Sequence, residues 1–356
     1  FRDGNQMHDQ TVDDSWRRIA RSLASVEKSD WSRWENRFYD VLKDFKFLPG
    51  GRIQAGAGTG HRVTLFNCFV MGTIEDSLDS IFDSLKEGAL TMQQGGGVGY
   101  DFSTLRPGGA PAVSVGVTAS GPVSFMQIWD AMCATILSTG ARRGAMMATL
   151  RCDHPDIEEF IRIKQDAAKL RHFNLSVLVS DAFMQAVQVD ADWPLVFPLG
   201  SRDIAVAENT VERVWSGSMT AVRCRVLRTV RARQLWDRIM QATYEYAEPG
   251  VIFVDRVNEQ NNLWYAEQIS ATNPCGELPL PPYGACDLGS INLTQFVRAA
   301  FSDQAALDLD GIADTAALAV RMLDNVADLS RFPLQKQEQA ARSTRRTTGS
   351  ATCATP

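Results

Sequence analysis

The chain has 356 residues, 45% of them apolar and 22% charged, enough for two average domains or one large α/β domain. Its net charge of -6 argues against nucleic acid or an anionic membrane as main partner, and no run of about 18 apolar residues offers a membrane span. Seven cysteines with no CxxC pair and no regular spacing do not make a secreted disulfide framework or a structural zinc site, so a reducing cytoplasm is the expected setting.

Trp16, Ile19, Ala20 and Leu23 recur at helical spacing, with Asp13 and Asp14 in the first turn where the helix dipole favours acidic groups. Trp31, Trp34, Phe38, Leu42 and Phe45 repeat the pattern, and PGGR (49–52) closes it, so residues 1–60 are predicted to be a small helical unit. Over 61–340 short apolar runs such as VGYDF, GAMMATL, FNLSVLV and GVIFV alternate with helical patterns such as PVSFMQIWDAMCATIL, DAFMQAV and ARQLWDRIMQATYEYA. That alternation predicts an α/β fold with βαβ units and a mostly parallel sheet, ending in a long helix around AALAVRMLDNVADL. The stretch 190–230 is the least periodic and is assigned no element. The small polar end TTGSATCATP has nothing to pack, so 341–356 is expected to be disordered or foreign to the fold.

Four stretches could carry chemistry. QGGGVGYDFSTLRPGG (94–109) concentrates glycines that would let backbone N–H groups approach a phosphate, or that simply make a tight turn; it is neither GxGxxG opening a helix nor a P-loop. STGARRGAMM (138–147) sets Arg142 and Arg143 between glycines, as phosphate- or base-reading guanidiniums or as a solvated basic turn. In ATNPCGE (271–277) an extended backbone would project Asn273, Cys275 and Glu277 to one side, joining a thiol, a carboxylate and an amide on one ligand. A buried structural cysteine in a turn is the alternative. Cys68 in TLFNCFV and Cys286 in GACDLGSINL lie in apolar settings and could be core filler, while Cys133, Cys152 and Cys224 are expected to be structural. His8, His61, His154 and His172 are scattered without metal-ligand spacing, so no metal site is expected.

Taken together and in order, these motifs resemble the large catalytic subunit of ribonucleotide reductase, most closely its adenosylcobalamin-dependent class II. NPCGE (273–277) resembles the radical-bearing loop, and FNCF (66–69) and ACDLGSINL (285–293) resemble the two places of the reducing cysteines. QGGGVGYDFSTLRP and ASGPVSFM (119–126) have the class II character. TGARRGA resembles the loop that reports effector identity to the substrate site, and EDSLDSI (75–81) the start of the effector-binding helix. The resemblance covers about residues 10–346 and then stops at TTGSATCATP, as a frameshift or premature end would make it. It implies the N-terminal part of a ten-stranded α/β barrel, the first half-barrel plus finger loop, preceded by a small helical unit.

The resemblance also implies roles. Cys275 would carry a thiyl radical that takes the 3′ hydrogen of a ribonucleoside di- or triphosphate, Glu277 would take the 3′-hydroxyl proton, and Asn273 would hold the sugar. Cys68 and Cys286 would deliver two electrons as the 2′-hydroxyl leaves as water, ending as a disulfide that a thioredoxin-like reductant reopens. Asn67, Gly96 and Gly97 would contact the substrate. Asp76, Ser77 and Arg106 would bind a dNTP effector at a homodimer interface, and Arg142 and Arg143 would couple the two sites. The cofactor implied is adenosylcobalamin; an iron-dependent class I subunit and an inactive fragment that binds effector or dimerises are the alternatives.

Overall fold

The computed structural model describes residues 1–3, 6–112, 117–136, 144–200, 208–343 and 349–355, with backbone alone at 2, 3, 112, 117 and 349–355. In chain order the principal helices are α1 (Val12–Ala24), α2 (Trp31–Leu42), α3 (Leu78–Gln93), α4 (Pro122–Thr135), α5 (Asp181–Gln188), α6 (Ala232–Tyr246) and α7 (Leu309–Leu329). The strands used below are β1 (Phe47–Pro49), β2 (Cys68–Val70), β3 (Gly97–Asp101), β4 (Met146–Arg151), β5 (Phe173–Val179), β6 (Asp192–Pro198) and β7 (Thr210–Val214). They continue with β8 (Ala221–Arg231), β9 (Gly250–Phe253), β10 (Ala271–Thr272), β11 (Pro279–Leu280), β12 (Ala285–Asn292) and β13 (Gly349–Thr355). The chain divides into two compact units, one of residues 1–69, 94–96 and 284–356, the other of residues 70–93 and 97–283. Among the described residues no helix is long and apolar enough to cross a membrane.

In the first unit α1 starts at a capping box: Thr11 Oγ1 accepts the Asp14 N–H at 3.2 Å, and the Asp14 carboxylate accepts the Thr11 N–H at 2.8 Å. Its predicted apolar stripe, Trp16, Ile19, Ala20 and Leu23, is buried, as are Phe38, Val41 and Leu42 of α2. Those stripes do not close on each other alone. Phe47, Ile53 and Leu65, with Ile291 of β12 and Ala319, Met322, Leu323 and Val326 of α7, complete the same core. The N-terminal helices thus share an interior with segments more than two hundred positions away. Strand β12 is the hub of the unit's sheet. It pairs antiparallel with β1 through Ile291↔Phe47 and with β2 through Cys286↔Cys68, and parallel with the backbone of β13 from Cys286↔Gly349 onward.

The second unit holds the parallel strands expected from the βαβ alternation, in the spatial order β9, β5, β4, β3, with Val98↔Met146, Met146↔Phe173 and Gly250↔Ser176 in register. Every residue of β3 is buried, and so are most of β4 and β5, because a parallel sheet is covered on both faces. Helix α4 links β3 to β4 and packs an aromatic cluster, with Trp129 5.7 Å from Tyr100 and 5.3 Å from Phe102 between ring centroids. The α/β class inferred from the sequence therefore stands. The described residues of the aperiodic 190–230 stretch form a three-stranded antiparallel sheet in the order β6, β8, β7, with Val196, Trp215 and Cys224 as its small core. Most of β8 is exposed, which left too few buried positions for an apolar period to show.

Candidate active site

Strands β10 and β11 form a minimal hairpin, Ala271↔Leu280 and Thr272↔Pro279, whose tip is the NPCGE stretch. The tip is not extended. Gly276 N–H donates to Asn273 O at 3.0 Å, closing a turn with Pro at its second and Gly at its fourth position, and Gly276 takes φ +84°. This corrects the expectation that Asn273, Cys275 and Glu277 line one face of a strand. Cys275 and Glu277 are exposed at the tip, whereas Asn273 is fully buried behind it. Asn273 Oδ1 accepts the Leu278 N–H at 3.0 Å and its backbone N–H donates to Leu278 O at 3.1 Å, so the amide knits the turn shut. Its Nδ2 is buried without a hydrogen-bond partner, which leaves one buried donor unsatisfied.

The hairpin lies on the parallel strands of its own unit. A Cβ on Gly99 of β3 would meet Thr272 O at 1.8 Å, so only glycine lets β10 come this close. Thr149 Oγ1 of β4 donates to Ser270 O at 2.9 Å. Asn174 Nδ2 of β5 donates to Pro274 O at 2.6 Å, one residue before the exposed thiol. Asn174 also lines a cavity of about 350 Å³ with Gly144, Ala145, Arg171 and His172. Sequence reasoning missed Gly99, Thr149 and Asn174 as supports of the tip. The one local signal was a polar Asn174 at the head of the apolar run FNLSVLV.

In the other unit Cys68 and Cys286 are register partners on antiparallel strands, both buried and both thiols. Directly opposite residues hold their Cβ atoms about 4.5–5.5 Å apart, at or just above the roughly 3.5–4.5 Å that a disulfide spans, so a bridge would draw the two strands slightly together. Asn67 donates its backbone N–H to Cys286 O at 2.9 Å, and its buried Oδ1 has no hydrogen-bond partner. Gly96 is buried in this unit, and Gly97 is buried at the start of β3 in the second unit.

Asp76, Ser77 and Arg106 come together. Arg106 Nε donates to Asp76 Oδ2 at 2.7 Å and its backbone N–H to Asp76 Oδ1 at 3.2 Å. Ser77 Oγ accepts the Ser80 N–H at 3.2 Å, capping the start of α3. The ion pair therefore stands at a helix N-terminus. Arg142 and Arg143 lie outside the described residues.

Several buried titratable groups of the second unit are held by burial and by their neighbours. Burial pushes the Cys152 thiol up to about 12 and those of Cys133 and Cys224 up to about 11, which makes them poor nucleophiles at neutral pH. Burial drives the His154 imidazole below its ordinary value; its Nε2 meets Leu105 O at 3.0 Å and its Nδ1 accepts the Asp156 N–H at 3.1 Å. Burial also opposes the charge of Arg151, but the Asp153 carboxylate, held through two hydrogen bonds of 2.8 and 2.9 Å, raises its pKa above the ordinary arginine value. Among the described residues no group of three or more His, Cys, Asp or Glu could hold a metal ion.

Two family models match the chain, ribonucleotide reductase, all-alpha domain, over residues 1–62 and ribonucleotide reductase, barrel domain, over residues 66–349. The vitamin B12-dependent ribonucleoside-diphosphate reductase of Mycobacterium tuberculosis is 39% identical over 336 residues, 94% of this chain and 44% of the relative. That of Thermoplasma acidophilum is 38% identical over 312 residues, 87% of this chain and 37% of the relative. The ribonucleoside-diphosphate reductase subunit alpha of Chlamydia pneumoniae is 27% identical over 342 residues, 91% of this chain and 32% of the relative. The chain thus spans less than half the length of these curated relatives. With the motifs, the parallel α/β sheet and both family models in agreement, the chain belongs to the ribonucleotide reductase large-subunit family.

Proposed function

We propose that this chain supplies the radical and reducing cysteines of an adenosylcobalamin-dependent reductase of ribonucleotides. The observation that carries the reading is the register of Cys68 with Cys286, which sets two sequence-distant thiols on directly opposite strand positions. In this reading Cys275, as a thiyl radical, takes the 3′ hydrogen of the ribose, and Glu277 accepts the 3′-hydroxyl proton. The 2′-hydroxyl then leaves as water, the 3′ hydrogen returns from Cys275, and Cys68 and Cys286 give up two electrons to become a disulfide. Asn273 uses its amide oxygen inside the turn, so only its unpartnered Nδ2 is left to donate to the sugar.

The exposed thiol of Cys275 fits a bulky initiator from outside the chain, whereas the buried Cys68 and Cys286 do not. When bound, adenosylcobalamin supplies the one-electron initiation, through cleavage of its cobalt–carbon bond, that removes the thiol hydrogen. The B12-dependent names of the more similar relatives favour this class over the iron-dependent one, and their diphosphate-reductase names favour a ribonucleoside diphosphate as substrate. Asn67, Gly96 and Gly97 are proposed substrate contacts. Asp76, Ser77 and Arg106 are proposed to bind a dNTP effector, with Arg142 and Arg143 relaying its identity, in a homodimer served by a thioredoxin-like reductant.

The test is a single turnover by the protein that carries this chain, with adenosylcobalamin, no second protein and no external reductant. Mass mapping should then find Cys68 joined to Cys286. Both cysteines still as thiols after product has formed, or turnover only with a metal-bearing partner protein, would overturn it.

A further inference from the structure

We infer that Asn174 is a positioning residue for the Cys275 thiol, acting through the carbonyl of Pro274. A side-chain hydrogen bond from β5 ties the NPCGE tip to its own unit. The hairpin has only two paired residues on each side, too short to be stable alone. Two of the tip's hydrogen bonds, Gly276 N–H to Asn273 O and Leu278 N–H to Asn273 Oδ1, are internal, and a turn on so short a hairpin keeps them closed only while it is anchored from outside. The bond from Asn174 Nδ2 to Pro274 O, at 2.6 Å, spans a hundred positions of sequence and ties the tip to β5.

Its geometry suits the task. Pro274 lacks an N–H, so its carbonyl is the one backbone group through which that residue can be held. The peptide group that contains this carbonyl continues directly into the Cys275 N–Cα bond, so fixing it fixes the start of the residue that bears the sulfur. Asn174 is itself exposed and contributes little to the core, yet its neighbours Phe173 and Leu175 are buried and hold its backbone in the sheet. Met147, the register partner of Asn174 on β4, places its Cε 3.6 Å from where a Gly276 Cβ would stand, so the same two adjacent strand positions bracket the tip. A donor at 174 thus acts on the placement of the thiol while touching no reacting atom.

The activity consequence rests on the radical role proposed for Cys275; the structural consequence does not, and the experiment separates them. Asn174→Ala removes the donor and the volume. Asn174→Asp keeps the volume and sets an acceptor against the Pro274 carbonyl. In both variants amide hydrogen exchange at Gly276 and Leu278 should speed up by about fivefold or more, with exchange in β3, β4 and β5 unchanged. In the protein that carries this chain, kcat should fall by about tenfold to a hundredfold with KM little changed. Asp should be as damaging as Ala or more so; an Asp variant close to wild type would mean that volume matters and not the donor. Unchanged exchange at Gly276 and Leu278 in a folded variant overturns the inference. Faster exchange with unchanged kcat leaves the structural anchor standing and overturns its catalytic consequence, while Cys275→Ser tests the radical role by itself.

Discussion

The thiol of Cys275 and the thiols of Cys68 and Cys286 are held by opposite means. In the first unit the pair sits within a strand ladder whose hub, β12, is backed by the core shared by α1, α2 and α7. The support is distributed, and the two sulfurs are buried. In the second unit Cys275 stands exposed on a hairpin with two paired residues on each side, seated by a glycine-permitted approach to β3 and by side-chain hydrogen bonds from β4 and β5. Under the proposed roles, a pair that bridges needs register, which a ladder sets at every position. A single thiol that meets an outside reactant needs presentation, which local contacts can give. Local support concentrates the consequences of a substitution, so the expected effects fall off from the presented thiol to the distributed core.

The largest effect is expected at the presented sulfur itself. In the protein that carries this chain, Cys275→Ser should reduce deoxynucleotide formation to the detection limit, because a serine hydroxyl does not give up hydrogen as a thiol does. Nucleotide binding measured by calorimetry should stay near wild type, since the side chain is exposed and outside any core. Substantial product from this variant would erase the distinction between the presented thiol and the paired ones.

Next comes the approach that seats the hairpin. Gly99→Ala would put a methyl 1.8 Å from Thr272 O, against backbone that has no flexible end to move. Either β10 lifts from β3 or the strand distorts, at a cost of about 1–3 kcal/mol for overpacking. Denaturant unfolding should show the loss, and iodoacetamide labelling mapped to Cys275 should change in rate while Cys68 and Cys286 stay protected. If stability and labelling both match wild type, the hairpin does not depend on this contact.

That glycine also shows where the sequence was readable. Helix faces were legible in Trp16, Ile19, Ala20 and Leu23 because their period is local, and the parallel strands were legible because burial on both faces makes continuous apolar runs. The tip was marked as a candidate site by its residue types. Its shape was misread although Asn-Pro-Cys-Gly carries the usual residues of a closed turn, with Asn first, Pro second and Gly fourth; the alternation of polar residues suggested a strand. Gly99 was legible as a glycine but not as a seat for β10, since its partner Thr272 is remote in sequence. The same holds for Asn174 and Pro274, and for Met322 and Val326 completing the core begun by Ile19. Periodicity reports which face is buried, not what buries it.

The smallest effect is expected where support is most distributed. In the first unit Glu27 receives Arg321 through Nε at 2.8 Å and Nη2 at 2.6 Å, and Asn325 Nδ2 at 2.9 Å, tying the segment that follows α1 to α7. The Arg321 hydrogen bonds hold the Glu27 carboxyl below its ordinary value of 4.5; burial opposes them and the Asn325 bond adds to them. The folded state therefore binds fewer protons than the unfolded state as pH falls past that value, so this contribution is present above it and is lost on further acidification. Because Arg321 is half-exposed, Glu27→Gln should cost only about 0.5–1 kcal/mol at neutral pH, less in high salt. The gap between variant and wild type in urea unfolding should narrow as pH drops below 4.5. A loss several times larger, or one independent of pH, would mean that this unit too rests on a single contact.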